Sequence, residues 1–355
     1  MVKFTSRTRM ILLIAVLAAA IAVIIAALSA PYLTQAPVSD TPVIPPEKRL
    51  VVYTSHKQEV WWPVIKEFEE RTGIYVEVVE GGTNELLENL SRSGNEAGCD
   101  VMFGGGAESL DYYSALFQPY RSSSAGHILR RYQPEHDIWT PFSALPVVLV
   151  YNPKLVPKGQ LTSWKDLMDP RYRGLIAFAD PSVSASSFTA LATMISACGG
   201  VAVQDDVLRN FAINLDGHLM ASSGDTLTGV SSGSYHAGIT LEETAIKRIV
   251  AGDSLAIVYP EDGTSAVPDG TAILRDAPHP ENAKLFVDYT VCEDVQQLLV
   301  KRFYRRSVRD DVEENDVLPD LSLIPMADYD IEDIGSRRSV IMTGFSFYFG
   351  GEEEQ

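Results

Sequence analysis

Four short stretches of glycine and small hydroxyl residues hold the groups with which this chain can do chemistry. They are Tyr53-Thr54-Ser55-His56, Gly81-Gly82-Thr83, Gly104-Gly105-Gly106 and the run Asp180-Pro181-Ser182-Val183-Ser184-Ala185-Ser186-Ser187. Each stands where an apolar, strand-like segment gives way to a helical pattern. Small residues there let a guest reach the backbone, and the next helix offers unpaired N–H groups and the positive end of its dipole. The chemistry is hydrogen-bond donation to an anion. Any one of these turns also has a structural reading, because Ser and Thr cap helices and Gly fits tight turns. Four in succession at one sheet edge point to a site. Ser55, His56, Thr83, Gly105, Ser184, Ser186 and Ser187 are its candidates, and Ser222, Ser223 and Thr226 add further hydroxyls downstream. An anion gripped by several charge-assisted bonds of roughly 1.5–3 kcal/mol each reaches micromolar affinity, about −8 kcal/mol, without any lysine. Backbone amides, not side-chain cations, are expected to neutralise it.

Catalytic constellations are missing from the sequence. Gly229-Val230-Ser231-Ser232-Gly233 fits G-x-S-x-G, but a nucleophile elbow needs a strand before it and a helix after it. Here the flanks are rich in Ser, Thr and Gly and lead into a strand. The six histidines show no H-E-x-x-H or paired metal spacing. Cys99, Cys198 and Cys292 are odd in number and far apart, with no C-x-x-C pair, and read as small buried apolar residues whose pairing the sequence does not assign. No enzyme and no cofactor is expected.

The elements that must position the turns alternate. Leu50–Thr54 precedes the helical pattern Glu59–Thr72, Tyr75–Val79 precedes Asn84–Ser91, and Val101–Phe103 precedes Ala107–Leu116. That alternation predicts a largely parallel sheet with helices on both faces, whose ligands bind at the carboxyl ends of the strands. Ala144–Tyr151 is an apolar strand long enough to leave one lobe for another, and Ala266–Leu274 is an extended crossing back. Between them run the helical patterns Ser186–Ala197 and Val203–Leu215 and the strands Leu175–Ala179 and Tyr235–Thr240. After the second crossing comes the amphipathic helix Pro280–Cys292. Two crossings suggest a hinge. The expected lobes are 49–145 with 266–310, and 146–265 with 311–347, followed by an acidic disordered tail over 348–355.

Upstream, Lys3, Arg7 and Arg9 precede the apolar run Met10–Leu28. That run is longer than most signal h-regions and just long enough for a thin membrane span. Residues 1–30 therefore read as a signal peptide or a retained anchor, and the proline-rich 31–48 as a tether. The body is placed outside the membrane. Its length suits two lobes, and a net charge of −18 argues against nucleic acid, which needs a basic footprint.

A more specific pattern adds to this. Val51-Val52-Tyr53-Thr54-Ser55-His56, Phe68-Glu69-Glu70-Arg71-Thr72-Gly73-Ile74, Gly81-Gly82-Thr83, Asp100-Val101-Met102-Phe103-Gly104-Gly105-Gly106-Ala107-Glu108-Ser109, Val150-Tyr151-Asn152-Pro153 and Pro278-His279-Pro280-Glu281-Asn282-Ala283 are the segments concerned. Together they resemble the solute-binding proteins of ABC importers, in the branch of ferric, hexose-phosphate and aminoethylphosphonate binders, over most of residues 50–300. The resemblance implies an α/β, two-lobed, hinged type II periplasmic binding fold. It implies a monomer without catalysis that hands its ligand to a membrane permease. Ferric binders of this kind carry two adjacent tyrosines where this chain reads Thr240-Leu241-Glu242-Glu243. Phenolates suit Fe³⁺, so their absence favours a small phosphorylated solute, a sugar phosphate or a phosphonate. Iron stays open through His56 and Glu242, and so does a sensor or adhesin that transports nothing. For sugar hydroxyls the candidates are Glu108, Asp216, His218 and Glu242, and for stacking on a ring Trp61, Trp62 and Tyr259.

Overall fold

The computed structural model describes residues 15–21, 23 and 44–350. Most of the leader and tether, and residues 351–355, lie outside the described residues. Residues 15–21 are helical. Among the described residues no single helix is long and apolar enough to cross a membrane.

From residue 45 onward the chain is one compact unit. β1 (Arg49–Thr54) carries the apolar Leu50-Val51-Val52, and α1 (Gln58–Thr72) turns Val60, Trp61, Val64, Ile65 and Phe68 onto it. Their i, i+4, i+8 spacing puts them on one helical face. The helix stops at Gly73, whose left-handed φ of 67° closes the last turn. There follow β2 (Tyr75–Glu80), α2 (Thr83–Ser93), β3 (Val101–Gly106), α3 (Ala107–Tyr112), the short β4 (Phe117–Gln118) and the long β5 (Thr140–Tyr151). The second half is built from β6 (Ile176–Ala177), α4 (Ala185–Cys198), α5 (Gln204–Leu215), α6 (Ser223–Ser232), β7 (Ala237–Leu241), α7 (Glu242–Val250) and β8 (Ala256–Val258). β9 (Ala266–Leu274) leads back to α8 (Pro280–Thr290) and α9 (Glu293–Phe303), and the chain ends in α10 (Ile331–Ser336) and α11 (Arg338–Phe349).

The sheet order is β2-β1-β3-β9-β5-β7-β6, with β4 on β9 and β8 on β5. It is mixed, which corrects the expectation of a largely parallel sheet. β1 runs parallel to β2 and β3, and β6 to β7, but β9 is antiparallel to both β3 and β5, and β5 is antiparallel to β7. The reason is the pair of crossings: one strand leaves and the other returns, so they must oppose each other. Thr140–Pro146 of β5 pairs with β9, whereas Val147–Tyr151 pairs with β7 and β8, so a single strand serves both halves.

Each half has its own core. In the first, Phe68, Phe103 and Phe286 meet edge to face, with ring centroids 5.1 and 5.3 Å apart, beneath Leu50 and Val52. In the second, Trp164, Phe178, Phe188 and Phe211 are buried, and α11 adds Ile341 and Phe345. Burying each such side chain contributes roughly 1.5–3 kcal/mol, enough to make α11 part of the fold. Tyr348 and Phe349, expected in a disordered tail, are therefore helical. Cys99 is buried, Cys198 and Cys292 are half-buried, and all three are free thiols.

Candidate functional site

A cleft of about 350 Å³ opens where the two halves face each other, within the size range of small-ligand sites. Its walls are helix beginnings. Lys57, Gly82, Ser184, Ser222 and Leu241 are the residues that cap the N-termini of α1, α2, α4, α6 and α7, and each is joined in the lining by a residue of the same turn. The first half supplies Ser55, His56, Lys57, Thr83 and Gly105, and the second Ser184, Ser186, Ser222, Ser223, Glu243, Thr244 and Lys247. Local sequence explains the caps: the Ser184 hydroxyl accepts from Ser187 N, and the Ser222 hydroxyl accepts from Asp225 N at 3.3 Å. The free N–H groups of these first turns add positive potential.

The glycine turn at the end of β3 makes the close approach possible. Gly104 and Gly105 have φ of 113° and 101°, and a Cβ on Gly105 would stand 2.7 Å from Thr83 Cγ2. A side chain at either position would push α2 or the Ser55 turn away.

Charged groups line the rest of the cleft. Arg305, only 6% exposed, donates from Nη1 to Asp269 Oδ2 at 2.7 Å and to Ser143 Oγ at 3.0 Å, and its Nη2 lies 3.9 Å from Glu243 Oε1. Its Nε has no partner. Asp269 also accepts from Ser143 N and Oγ, both at 2.8 Å. Lys247 Nζ lies 2.7 Å from Glu243 Oε2 and 2.7 Å from Glu59 Oε1, so it ties α7 to α1 across the opening. Burial works against ionisation of Glu243, but the charges of Arg305 and Lys247 outweigh it and hold its carboxyl below the usual range. His56 is buried with Nδ1 3.7 Å from Asp269 Oδ2 and with Nε2 unpartnered. Burial, reinforced by the charge of Arg305, holds its imidazole well below its ordinary value. The ring is thus neutral at neutral pH, with Nε2 unpartnered and packed against Gly104.

Of the residues singled out in the sequence, Ser55, His56, Thr83, Gly105, Ser184, Ser186, Ser222 and Ser223 come together in this cleft. The others do not line it. Ser187 is spent on the cap of α4, its hydroxyl donating to Ser184 Oγ at 3.1 Å. Glu108 is fully buried in α3 and accepts from the Thr189 hydroxyl. His218 is exposed beyond α5, and Asp216 pairs with Arg173 at 3.0 Å. Glu242 faces the other way, in a two-pronged bond with Arg306 at 2.8 and 2.9 Å, and the Tyr259 hydroxyl donates to it at 2.6 Å. Trp61 is buried in the core, and Trp62 is half exposed outside the cleft. The expectation that no side-chain cation takes part is also corrected, since Lys57, Lys247 and Arg305 line the cleft. Sequence reasoning missed these three, together with Glu243, Thr244 and Asp269. One signal was there to read: Asp269 is the sole charge in the apolar run Ala266–Leu274.

A family model for bacterial extracellular solute-binding protein matches residues 97–332. Iron uptake protein A1 of Synechocystis is 25% identical over 77% of this chain and 79% of its own length. A putative 2-aminoethylphosphonate-binding periplasmic protein of Salmonella typhi is 22% identical over 72% of this chain and 76% of its own. Among solved structures, the periplasmic binding protein AfuA of Actinobacillus pleuropneumoniae, with exogenous fructose-6-phosphate bound, superposes with a TM-score of 0.79. It is 23% identical, over 85% of this chain and 99% of that one. That likeness establishes the two-lobed periplasmic binding fold.

Proposed function

This chain belongs to the bacterial extracellular solute-binding proteins, and on that premise we propose that its cleft captures a small phosphorylated solute for a membrane permease. The solute is a sugar phosphate or a phosphonate, taken up on the outer side of the membrane. One observation carries the reading: the N-termini of α1, α2, α4, α6 and α7 surround the same cleft as Lys57 and Arg305. A dianion gains from every one of those partial charges. The carboxylates Glu243 and Asp269 replace Glu108, Asp216, His218 and Glu242 as partners for hydroxyls. Both carboxylates are already held by cations, and no tyrosine lines the cleft among the described residues. A ferric ion would need hard anionic donors that are free, so the phosphorylated solute fits better.

Capture then works by closure. A ligand favours the closed form only through contacts with both halves at once, and the donors come from both. β5, which pairs in both halves, and β9, which leads back from the second half to the first, are the segments about which they would turn. Calorimetry with a hexose 6-phosphate, an aminoalkylphosphonate, inorganic phosphate and ferric citrate tests this. Micromolar binding of one of the first two is expected, with a loss of about a hundredfold in Ser186→Asp, as for a like charge set against the anion at a cost of about 3 kcal/mol. Unchanged binding by that variant, or retention of iron alone, refutes the reading. Iron is the second reading, favoured by the meeting of His56, Asp269 and Glu243 in one cleft and by the Synechocystis relative.

A further inference from the structure

α10 and α11 join the two halves a third time, outside the cleft. Ile334, Ile341 and Phe345 seat them in the core of the second half, and the Tyr348 ring lies 5.0 Å from the guanidinium of Arg209 on α5. α10 also rests on α3 of the first half, where a Cβ at Gly335 would stand 3.1 Å from the Glu108 carbonyl oxygen. The start of α11 reaches the same helix. Arg338 Nη1 donates to Ser109 Oγ at 3.3 Å, and the hydroxyls of Ser339 and Tyr112 are 3.2 Å apart. Ser109 and Tyr112 stand one turn apart on α3, so they present one face to two successive residues of α11.

The two sides of this helix pair differ in kind. Towards the second half the contacts are apolar and closely packed. Towards the first they are polar and incompletely bonded, with apolar contact from the half-buried Tyr329 and Ile331. Arg338 is 7% exposed, yet among the described residues it makes that one long hydrogen bond, with its guanidinium 4.0 Å from the centre of the Phe188 ring. Glu108 Oε2 and the Tyr329 hydroxyl have no partner among the described residues. A buried guanidinium held so thinly stabilises a fold less than an apolar side chain of its size. Separation from α3 would return these polar groups to water, which bonds them at least as well; an apolar core has no such compensation. The plane along which the halves part at least cost therefore runs between α3 and the start of α11. Arg337 and Arg338 are the only cations after Arg309. Arg337 turns to the second half, donating to Gln204 Oε1 at 2.5 Å, so Arg338 alone faces that plane. Ser109, Tyr112, Arg338 and Ser339 all stand outside the cleft lining.

We propose that α10 and α11 are a strap whose grip on α3, Arg338 on Ser109 and Ser339 on Tyr112, holds the halves together before any solute arrives. Opening breaks these two contacts and leaves the apolar seat in the second half intact. A weaker grip lowers the closed population, and the affinity of the cleft falls with it although the strap touches no guest. Only this effect on affinity rests on the function proposed above.

Small-angle scattering of the unliganded protein tests the strap. The parent should scatter as the closed structure does, and Arg338→Met, which keeps bulk against Phe188 but cannot donate, should scatter as a wider particle. The closed-to-open ratio should fall about tenfold in that variant, as for loss of one hydrogen bond to a charged group, and about threefold in Tyr112→Phe, which loses a neutral one. Tyr112 is 44% exposed, so its variant keeps the test open should the buried one fail to fold, and a thermal melt checks both. Ser109→Ala should match Arg338→Met, and the two together should do no more than either alone. A parent already open, variants that scatter as the parent does, or full additivity of the pair overturns the strap. Equal affinity of parent and variants for hexose 6-phosphate in calorimetry overturns its effect on the cleft. Scattering needs no solute, so its failure leaves the cleft reading standing, and a cleft that binds no hexose phosphate leaves the strap to be decided by scattering.

Discussion

Two pairs of neighbours, Glu242 with Glu243 and Arg305 with Arg306, divide the charges of this protein between interior and cleft. Successive residues point in different directions, by about 100° in a helix and to opposite faces in extended chain. Arg306 therefore meets Glu242 inside, while Arg305 faces Asp269 and Glu243 at the cleft floor. Arg305→Gln leaves two buried carboxylates short of their cation and should cost about 3–5 kcal/mol in urea unfolding. A loss under about 1 kcal/mol would mean that water already reaches them. Glu108 makes the opposite case. Burial raises its carboxyl above the usual range, Oε2 has no partner, and the neighbouring Arg338 donates to Ser109 and lies over Phe188. The folded state thus holds the proton more tightly than the unfolded state, so this contribution to stability is full below about pH 4.3. It is lost as pH rises through the raised value. Glu108→Gln, which cannot ionise, should melt higher than the parent at neutral pH, with the gap closing towards pH 4. A gap independent of pH would assign the effect to packing. Glu242 was chosen over Glu243 from sequence because a one-residue phase is invisible until the first residue of α7 is known.

Elements were legible wherever a local rule was strong. The strand and helix patterns of the first half recur in the structure within a few residues, and Ala185–Cys198 lies one residue beyond the predicted Ser186–Ala197 at each end. Strand direction is different, since nothing in the alternation of Val and Ile says which way a neighbour runs, and the mixed sheet was missed for that reason. The glycine turn after Phe103 was read as a place of close approach, and its geometry gives the claim a test. Gly105 has φ 101° and stands against Thr83, whose branched side chain cannot swing aside as a long flexible one would. Gly105→Ala should lose about 1–3 kcal/mol from the strained backbone and also weaken solute binding, because α2 must shift. Gly126→Ala, at a position with open space and ordinary φ, is the control and should change neither. Equal behaviour of the two variants in denaturation and calorimetry would remove the turn from the site.

At the scale of the molecule, affinity depends on how readily the two halves come together, and the structure has contacts that span them besides any ligand. Asn84 Nδ2 donates to Ser182 O at 3.3 Å, the Thr189 hydroxyl donates to Glu108, and Lys247 links Glu243 to Glu59. The hinge was legible in outline because two long apolar strands had to cross; the contacts were not, because they join residues 98, 81 and 188 positions apart. Of these, the Lys247 bridge to Glu59 is the one to test, since Glu59 is 53% exposed and its loss should not disturb a core. An exposed pair of this kind is worth roughly 0.2–1 kcal/mol. If it exists only when the halves are closed, Glu59→Gln destabilises that form by this amount and raises the solute dissociation constant by about 1.5- to 5-fold. The effect should shrink as salt rises to about 1 M, where the screening length is roughly 3 Å. Calorimetry at low and high salt, paired with small-angle scattering of the unliganded protein, separates the outcomes. A weaker affinity that salt leaves unchanged, with no expansion of the free protein, would show that Glu59 acts on the ligand itself and not on closure.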